Sequence, residues 1–379
     1  MTRKVLIFID SLALGGAETS LITLLNSINI DELSIDLLML GRGPLLPHVP
    51  RNVSVKIIDG VKPTLYKKFK YYLLRLVNYK SHISQSFWEC YKDDIVAVTE
   101  PYDLAIAWGQ GFATYYVATK VDSKTKIAWI NTDYVKAGFN AAADKVFYEK
   151  YDKIVAVSEA GKKSFDAAFH NTFADKTIVV EDLIDREKIL WKAQEEVAEM
   201  QQDCLKIVTV GRLDPAKGYD LAIKAAEILR DKKINFKWWI VGEGGYRTRM
   251  ESLILRKKLG GLVILVGADL NPYKYMKGAD LYVQSSKYEG LSITVREAKI
   301  LQKIIISTNF PSVNTALTHD FDGLISEMSG ESIAANIIRV IESDELKKQI
   351  LTNLRKSDNV MQNSAQVSIL EKLLLQNNN

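Results

Sequence analysis

The sequence predicts an α/β protein that consists of two doubly wound, Rossmann-like parallel-sheet domains. Three observations lead to this class. Continuous runs of Val, Ile and Leu, which are typical of strands buried on both faces, alternate with stretches of helical periodicity. A chain of 379 residues is too long for one core, so two domains are expected. A strand, a glycine loop and a helix follow each other from Lys4 and again from Lys206.

The predicted strands are the short apolar runs of the chain. In the first half they lie at residues 5–9, 35–40, 53–58, 104–107, 127–130, 154–157 and 178–180. In the second half they lie at residues 207–210, 237–241, 263–266, 281–284, 304–306 and 324–325. The helical stretches between consecutive runs make βαβ units, whose crossovers are right-handed.

The predicted domain boundaries follow from a segment without a strand signal. Residues 182–203 are charged and helical in character, and they predict a linker between a first domain at 1–182 and a second at 203–360. Residues 361–379 predict a C-terminal helix with a frayed tail. Ligands of doubly wound sheets bind at the carboxyl ends of the strands. We therefore expect two domains that face each other across a cleft, with the linker as a hinge.

Composition excludes several classes of function. The formal charge of +4 is too small to argue for a nucleic-acid partner. Cys90 and Cys204 lie far apart without partners at metal-ligand spacing, which argues against a disulfide framework or a zinc site and fits a reducing compartment. The first apolar run ends at Asp10 and predicts a strand rather than a signal peptide. We therefore expect a cytoplasmic protein, either soluble or peripheral on the inner face of a membrane.

The stretch at residues 285–301 is the most informative in the chain. A buried strand leads into a glycine-containing loop, and a helix begins near Thr294. A helix start offers free N–H groups and a positive dipole end, which suit a phosphate. Glu289 and Glu297 repel a phosphate but accept hydrogen bonds from hydroxyl groups. A site that binds both a phosphate and several hydroxyl groups is suited to a sugar nucleotide.

The loop at residues 211–218 supplies cations in the same domain. Arg212 directly follows a predicted strand, and Lys217 lies where the next helix begins. A guanidinium fork and a lysine point charge suit a diphosphate. Alone, the two would be read as solvated loop cations. Together with the stretch at 285–301, they favour a diphosphate site.

Other glycine loops carry weaker signals. Gly15 and Gly16 allow the backbone to approach a ligand after the first strand, although a tight strand–helix turn explains them equally well. Residues 242–245 are interpreted as a structural turn. Residues 267–273 either frame a nucleobase through their backbone or form a plain loop.

Four motifs together resemble a family 4 retaining glycosyltransferase of the GT-B fold, of the group 1 type that builds capsule, O-antigen or exopolysaccharide. The resemblance covers essentially the whole chain, and the second half is the more specific match. The motifs are Gly15-Gly16-Ala17-Glu18, Gly211-Arg212-Leu213 with Lys217-Gly218, Asn271-Pro272-Tyr273, and Glu289-Gly290 with Glu297 at the Glu-x7-Glu spacing.

The resemblance implies transfer of a sugar from a nucleotide-diphosphate sugar with retention at the anomeric carbon. It implies no metal and no cofactor, and a UDP-sugar rather than a GDP-sugar as donor. The first domain would bind the acceptor and the second the donor. Arg212 and Lys217 would hold the diphosphate, Glu289 the donor sugar and Glu297 the ribose. The remaining donor-binding residues by analogy are Gly15, Gly16, Asn271, Gly290 and Leu291.

One position departs from the family pattern. Many relatives carry a histidine in a Trp-Ile-His-x-Asp segment of the first domain, where this chain has Asn131. Asparagine forms hydrogen bonds but moves no proton at neutral pH. Asp133 is a candidate substitute base on the acceptor side, beside the catalytic candidates Glu289, Lys217 and Arg212, or it is only a loop cap.

Residues 62–80 are basic and aromatic. As a helix, they place Leu65, Phe69, Tyr72, Leu73 and Leu76 on one face. Such a helix packs its apolar face on the sheet of the first domain, which the residues alone slightly favour, or it binds anionic lipid headgroups. The lipid-linked acceptors of many relatives add support to the membrane interpretation.

The sequence therefore predicts a retaining hexosyltransferase of surface-polysaccharide synthesis that acts on a glycan or a lipid-linked saccharide. One alternative is a catalytically silent scaffold that binds sugar nucleotide, an interpretation kept open by Asn131. Another is a sugar-nucleotide epimerase of similar fold. The joint presence of Arg212, Lys217, Glu289 and Glu297 favours the transferase.

Overall fold

The computed structural model describes residues 2–28, 32–58, 64–77, 82–357 and 364–375. The predictions made for residues 62–63, 78–80, 361–363 and 376–379 lie outside these ranges. The chain forms two compact units, Met1–Leu183 with Asn363–Asn379, and Ile184–Gln362. Each is an α/β unit around one parallel sheet, which confirms the predicted class.

The first unit contains a seven-stranded parallel sheet in the described residues, in the order β3-β2-β1-β4-β5-β6-β7. Its strands are β1 Arg3–Ile9, β2 Leu33–Met39, β3 Ser54–Ile57, β4 Tyr102–Ala107, β5 Ser123–Ile130, β6 Lys153–Ala156 and β7 Thr177–Val179. Its helices are α1 Gly16–Ser27, α2 Leu65–Val77, α3 Ile83–Tyr91, α4 Phe112–Lys120, α5 Ala141–Tyr148 and α6 Glu159–Ala168. β1 pairs with β2 and β4, so its apolar residues are buried on both faces.

The second unit contains a six-stranded parallel sheet in the described residues, in the order β10-β9-β8-β11-β12-β13. Its strands are β8 Leu205–Val210, β9 Phe236–Val241, β10 Val263–Gly267, β11 Leu281–Gln284, β12 Ile304–Thr308 and β13 Leu324–Ser326. Its helices are α7 Arg186–Lys192, α8 Tyr219–Asp231, α9 Arg247–Arg256, α10 Tyr273–Gly278, α11 Ile293–Ile300, α12 Gly330–Glu342 and α13 Asp344–Ser357. The last helix of the chain, α14 Ser364–Leu375, returns to the first unit.

The strand order reverses direction once in each sheet. In the second unit the reversal lies between β8 and β11, and in the first unit it lies between β1 and β4. Doubly wound sheets bind ligands in the crevice that forms beyond the carboxyl ends of the strands at such a switch point. The loops that follow β8 and β11 are those at residues 211–218 and 285–292. The strongest motifs of the sequence therefore meet at the switch point of the second unit.

The boundary between the two units, at Leu183 and Ile184, lies inside the segment predicted to contain the linker, but most of that segment packs with the second unit. Residues 184–203 belong to the second unit, where they form α7 and a short 3-10 turn at Ala198–Met200. Ile189, Ala193, Val197 and Met200 are buried in the apolar core beneath the sheet. Ile189 lies in α7 and the other three lie in the residues that follow it, and the charged residues between them conceal the buried positions in the sequence.

Candidate functional site

The loops at residues 211–218 and 285–292, at the switch point of the second unit, are joined by hydrogen bonds. The Lys287 backbone N–H donates to the Ala216 carbonyl at 2.7 Å, and the Ser285 hydroxyl donates to the Lys217 carbonyl at 2.9 Å. Gly218 allows this approach, because its φ is +60° and a Cβ there would lie 2.0 Å from the Ser285 carbonyl oxygen. The close contact holds Lys217 against the loop that carries Glu289.

Glu289 receives three donors on one carboxylate oxygen. Its Oε1 lies 2.6 Å from Lys217 Nζ, 2.9 Å from Gln284 Nε2 and 2.5 Å from the Ser286 hydroxyl. The exposed fraction of the side chain is 12%, and that of Lys217 is 23%. Among the described residues, the side-chain hydrogen bonds of Glu289 all end on Oε1. Oε2 is therefore the oxygen that is available to a ligand hydroxyl.

The start of α11 forms a second polar element beside Glu289. Ser292 precedes the helix as its N-cap residue, but its side chain makes no capping hydrogen bond. Its hydroxyl is buried and has no partner among the described residues. The N–H groups of the first helical turn have no intrahelical acceptor, and they share the positive end of the helix dipole. Gly290 and Leu291 lead directly into this turn, which suits an anionic ligand.

Glu297 lies one turn further along α11 in a different environment. Only 6% of the residue is exposed, and the Tyr273 hydroxyl donates to its Oε1 at 2.9 Å. Burial raises the pKa of Glu297 to about 7, and the Tyr273 hydrogen bond opposes this shift. The carboxyl group therefore titrates near neutral pH.

Arg212 stays apart from the Lys217–Glu289 pair. It lies two residues after the end of β8, 70% of its side chain is exposed, and Nη2 lies 3.6 Å from Asp214 Oδ2. Such a wide, exposed contact contributes little to stability. The guanidinium is therefore free of the cost of breaking a strong ion pair when it binds an anion.

Asn271 ties two segments of the second unit together. Its amide nitrogen donates to the Lys192 carbonyl at 2.9 Å and to Glu195 Oε2 at 2.8 Å. Lys274 strengthens the tie through Glu195 at 2.6 Å and Asp269 at 3.2 Å. The amide oxygen of Asn271 is buried and has no partner among the described residues. The side-chain nitrogen of Asn271 thus stabilises the fold. Its side-chain oxygen can accept a hydrogen bond from a ligand.

In the first unit, Gly15 and Gly16 connect β1 to α1, with Gly15 as the N-cap residue. A Cβ at Gly15 would lie 2.3 Å from Glu18 Oε2, so a side chain there requires Glu18 to move. Both glycines lie at the switch point of the first sheet, on the edge where ligands bind. Their donor-binding role stays a prediction.

The loop after β5 carries Asn131 and Asp133. Asp133 Oδ1 accepts the Lys136 N–H at 3.0 Å and the Ser164 hydroxyl at 2.6 Å, which is the contact set of a loop cap. The Asn131 N–H donates to Gln110 Oε1 at 2.9 Å. The side-chain oxygen of Asn131 is buried and has no partner within the described ranges. Of the two, Asn131 is the one whose buried side-chain oxygen lacks a partner among the described residues.

Helix α2 presents an exposed apolar face. Tyr71 and Leu74 pack against the core of the first unit, and Lys67 pairs with Asp94. The opposite side, here called the apolar stripe, is 44–86% exposed residue by residue. The stripe consists of Leu65, Tyr66, Phe69, Tyr72, Leu73, Leu76 and Val77. The interpretation in which this apolar face packs on the first domain is therefore wrong, because Tyr71 and Leu74 make the packing contacts instead.

Several site residues escaped the sequence analysis. Gln284, Ser286 and Ser292 are buried polar groups around Glu289 and the start of α11. A polar residue at the carboxyl end of an apolar strand was the available signal for Gln284. In the part of the chain that the structure describes, no three His, Cys, Asp or Glu side chains are placed to hold a metal ion. No described helix has the length and apolar character that a membrane span requires.

Comparison with known proteins extends these observations. Residues 192–357 match the family model described as glycosyl transferases group 1. The chain is 29% identical over 202 residues to an uncharacterized glycosyltransferase of Methanocaldococcus jannaschii, and this match spans only 50% of each protein. It is 27% identical over 360 residues to the N-acetylgalactosamine-N,N'-diacetylbacillosaminyl-diphospho-undecaprenol 4-alpha-N-acetylgalactosaminyltransferase of Campylobacter jejuni, across 91% of this chain and 92% of that protein.

A solved structure shares the fold over the full length. The crystal structure of Anabaena Alr3699/HepE in complex with UDP-glucose matches with a TM-score of 0.74 at 18% identity and covers 98% of each chain. At this identity the likeness concerns the fold alone.

The fold and the family match define the class of this protein, which is a glycosyltransferase of the GT-B fold. More narrowly, the match to the glycosyl transferases group 1 model falls within the second unit, where it begins at the last residue of α7 and ends with α13.

Proposed function

We propose that the protein transfers a sugar, with retention of configuration, from a UDP-sugar to a lipid-linked saccharide in the synthesis of a surface polysaccharide. The observation that carries the proposal is the convergence of Lys217, Glu289 and the start of α11 at the switch point of the second sheet. These groups offer a cation, a hydroxyl acceptor and an anion-binding helix start. A nucleotide-diphosphate sugar needs all three.

In the proposed donor complex, the diphosphate lies at the start of α11 with Lys217 and Arg212 on its oxygens. Negative charge develops on the departing nucleoside diphosphate, and cations with oriented N–H groups stabilise that charge. Glu289 Oε2 accepts hydrogen bonds from the donor sugar, and Glu297 binds the ribose hydroxyls. Each hydrogen bond to a charged group contributes about 1.5–3 kcal/mol. Charge stabilisation is thereby supplied by side chains and backbone.

The acceptor is proposed from the relatives. The Campylobacter relative is named as acting on a diphospho-undecaprenol saccharide, and it aligns with nearly the whole of this chain. We propose an acceptor of the same chemical class, bound by the first unit near Asn131. The unused amide oxygen of Asn131 accepts a hydrogen bond from an acceptor hydroxyl. The site of action is then the cytoplasmic face of a membrane.

Helix α2 is proposed to bind that membrane. At 3.6 residues per turn, the apolar stripe spans about 140° of the helix circumference. Lys68 and Arg75 flank it on one side and Lys70 on the other. An apolar stripe bounded by cations lies in the interface of an anionic bilayer, with its rings and aliphatic groups among the lipids.

The membrane proposal predicts weaker sedimentation of the Lys68→Gln/Lys70→Gln variant with vesicles that contain phosphatidylglycerol. Two cations near an anionic surface correspond to about 2 kcal/mol, which is roughly a thirtyfold change in partitioning. The matched control is Lys145→Gln/Lys150→Gln, two exposed lysines of the same unit outside α2. Equal sedimentation of both variants would remove α2 as the docking element.

The proposed donor is tested by a thermal-shift screen with UDP-sugars and GDP-mannose. A ligand present at 100 times its dissociation constant stabilises the folded state by about 2.7 kcal/mol. We expect a rise in the unfolding temperature with UDP and with one UDP-sugar. The protein should then slowly hydrolyse that UDP-sugar to UDP and the free sugar. Binding of a UDP-sugar without turnover on any acceptor would instead favour the scaffold function.

A further inference from the structure

We infer that Gln284 is a positioning residue that orients Glu289 for the donor sugar. The inference rests on the proposed function, in which Glu289 binds sugar hydroxyls. Gln284 is the last residue of β11, and 1% of it is exposed. Because Gln284 is buried, it does not contact solvent or a bulky ligand. Gln284 can affect the site only through the residues to which it is hydrogen-bonded.

Both ends of the Gln284 amide are engaged. Nε2 donates to the Ser286 hydroxyl at 2.6 Å and to Glu289 Oε1 at 2.9 Å. Oε1 accepts the Tyr282 hydroxyl at 2.5 Å and the Thr294 hydroxyl at 3.1 Å. The side chain thus joins the strand end, the Glu289 loop and the first turn of α11.

The partners fix which way the amide points. A reversed amide would place its oxygen against the Glu289 carboxylate, and two acceptors would then face each other. In the observed orientation the amide oxygen of Gln284 accepts the hydroxyls of Tyr282 and Thr294, and both act as donors. Gln284 is therefore a rigid link between the sugar-binding carboxylate and the helix start proposed to hold phosphate.

This link becomes more important in the proposed donor complex. Lys217 now bonds Glu289 Oε1 at 2.6 Å, but the same ammonium group is assigned to the diphosphate. When Lys217 turns toward phosphate, the neutral donors of Gln284 and Ser286 remain on Oε1. These two donors keep Oε2 of Glu289 directed at the donor sugar. Removing them should therefore weaken the use of the UDP-sugar without changing the binding of UDP.

The test compares Gln284→Met with Thr209→Val. Thr209 is also buried in the second unit, where it donates to the Val283 carbonyl and accepts the Trp238 indole N–H, but it does not bond Glu289. The probes are UDP, titrated by calorimetry, and the UDP-sugar that stabilises the wild type most. Removing one hydrogen bond to a charged group predicts a fall of about 10- to 100-fold in kcat/KM for the UDP-sugar. UDP affinity should stay within about twofold. Thr209→Val should keep both quantities.

A second variant decides the matter if Gln284→Met fails to fold. Tyr282→Phe removes only a hydroxyl, which donates to Gln284 Oε1 and makes no hydrogen bond to Glu289 within the described residues. It should lower kcat/KM for the UDP-sugar severalfold and leave UDP binding intact. Unchanged kcat/KM in both variants, while Glu289→Gln abolishes turnover, would overturn the role of Gln284. Full turnover in Glu289→Gln would overturn the proposed role of Glu289 itself.

Discussion

The replacement Glu297→Gln should stabilise the protein at alkaline pH. Burial raises the pKa of Glu297 from an ordinary 4.5 to about 7. The folded state thus binds a proton more tightly than the unfolded state, and the group costs stability once it ionises. This cost is absent below pH 4.5, grows as the pH rises through this interval, and is complete above about pH 7.

The magnitude follows from the two pKa values. Each pH unit between them corresponds to about 1.4 kcal/mol, so the folded state loses about 3 kcal/mol. Glutamine retains an acceptor for the Tyr273 hydroxyl and cannot ionise. At pH 8 the variant should unfold roughly 6–12 °C above the wild type, given about 2–4 °C per kcal/mol for a unit of this size. At pH 4.5 the difference should vanish.

The assay is thermal unfolding of both proteins from pH 4.5 to 8.5, with Glu251→Gln as the control. Glu251 lies in the same unit with 53% of its side chain exposed, so its replacement should change stability by less than about 0.5 kcal/mol. We also expect UDP to bind the Glu297 variant more weakly by about tenfold, because a charged acceptor is lost. Equal unfolding temperatures of variant and wild type at pH 8 would refute the assigned cost of ionisation.

Two further predictions concern the loop at residues 211–218. Lys217→Met should weaken UDP binding by about 10- to 100-fold in calorimetry, since a charge-assisted contact to phosphate is lost; unchanged affinity would remove Lys217 from the diphosphate site. Gly218→Ala should lower the unfolding temperature, because its φ of +60° and a Cβ placed 2.0 Å from the Ser285 carbonyl oxygen strain the loop. The control is Gly245→Ala, where a Cβ meets nothing within 4 Å, and equal losses in both variants would contradict the close-approach argument.

Much of the fold followed from the sequence. The apolar runs at residues 5–9, 207–210 and 281–284 are strands, and α11 begins one residue before the predicted Thr294. These elements carry strong local signals, because strands buried on both faces exclude polar residues. The order of the strands depends on contacts between distant segments, and only the structure gives it.

The site was less predictable than the fold. Glu289 and Lys217 were singled out by residue type and spacing, and the structure places them 2.6 Å apart. The Gln284 network and the Tyr273–Glu297 hydrogen bond were not predicted, because they join residues on different elements and leave no periodic signal. The buried apolar residues of the segment 184–203 were missed for a related reason, since charged residues separate them in the sequence.

Turnover of a UDP-sugar by the wild type and by Glu289→Gln is the decisive measurement for a donor-sugar site at Glu289. The UDP-sugar that stabilises the wild type most in the thermal-shift screen serves as donor. The rate at which UDP forms from this donor is measured. We expect the wild type to form UDP, the variant to form it at least about 100-fold more slowly, and both proteins to bind UDP alone with the same affinity. Equal release by both proteins would contradict the assignment of Glu289 to the donor sugar.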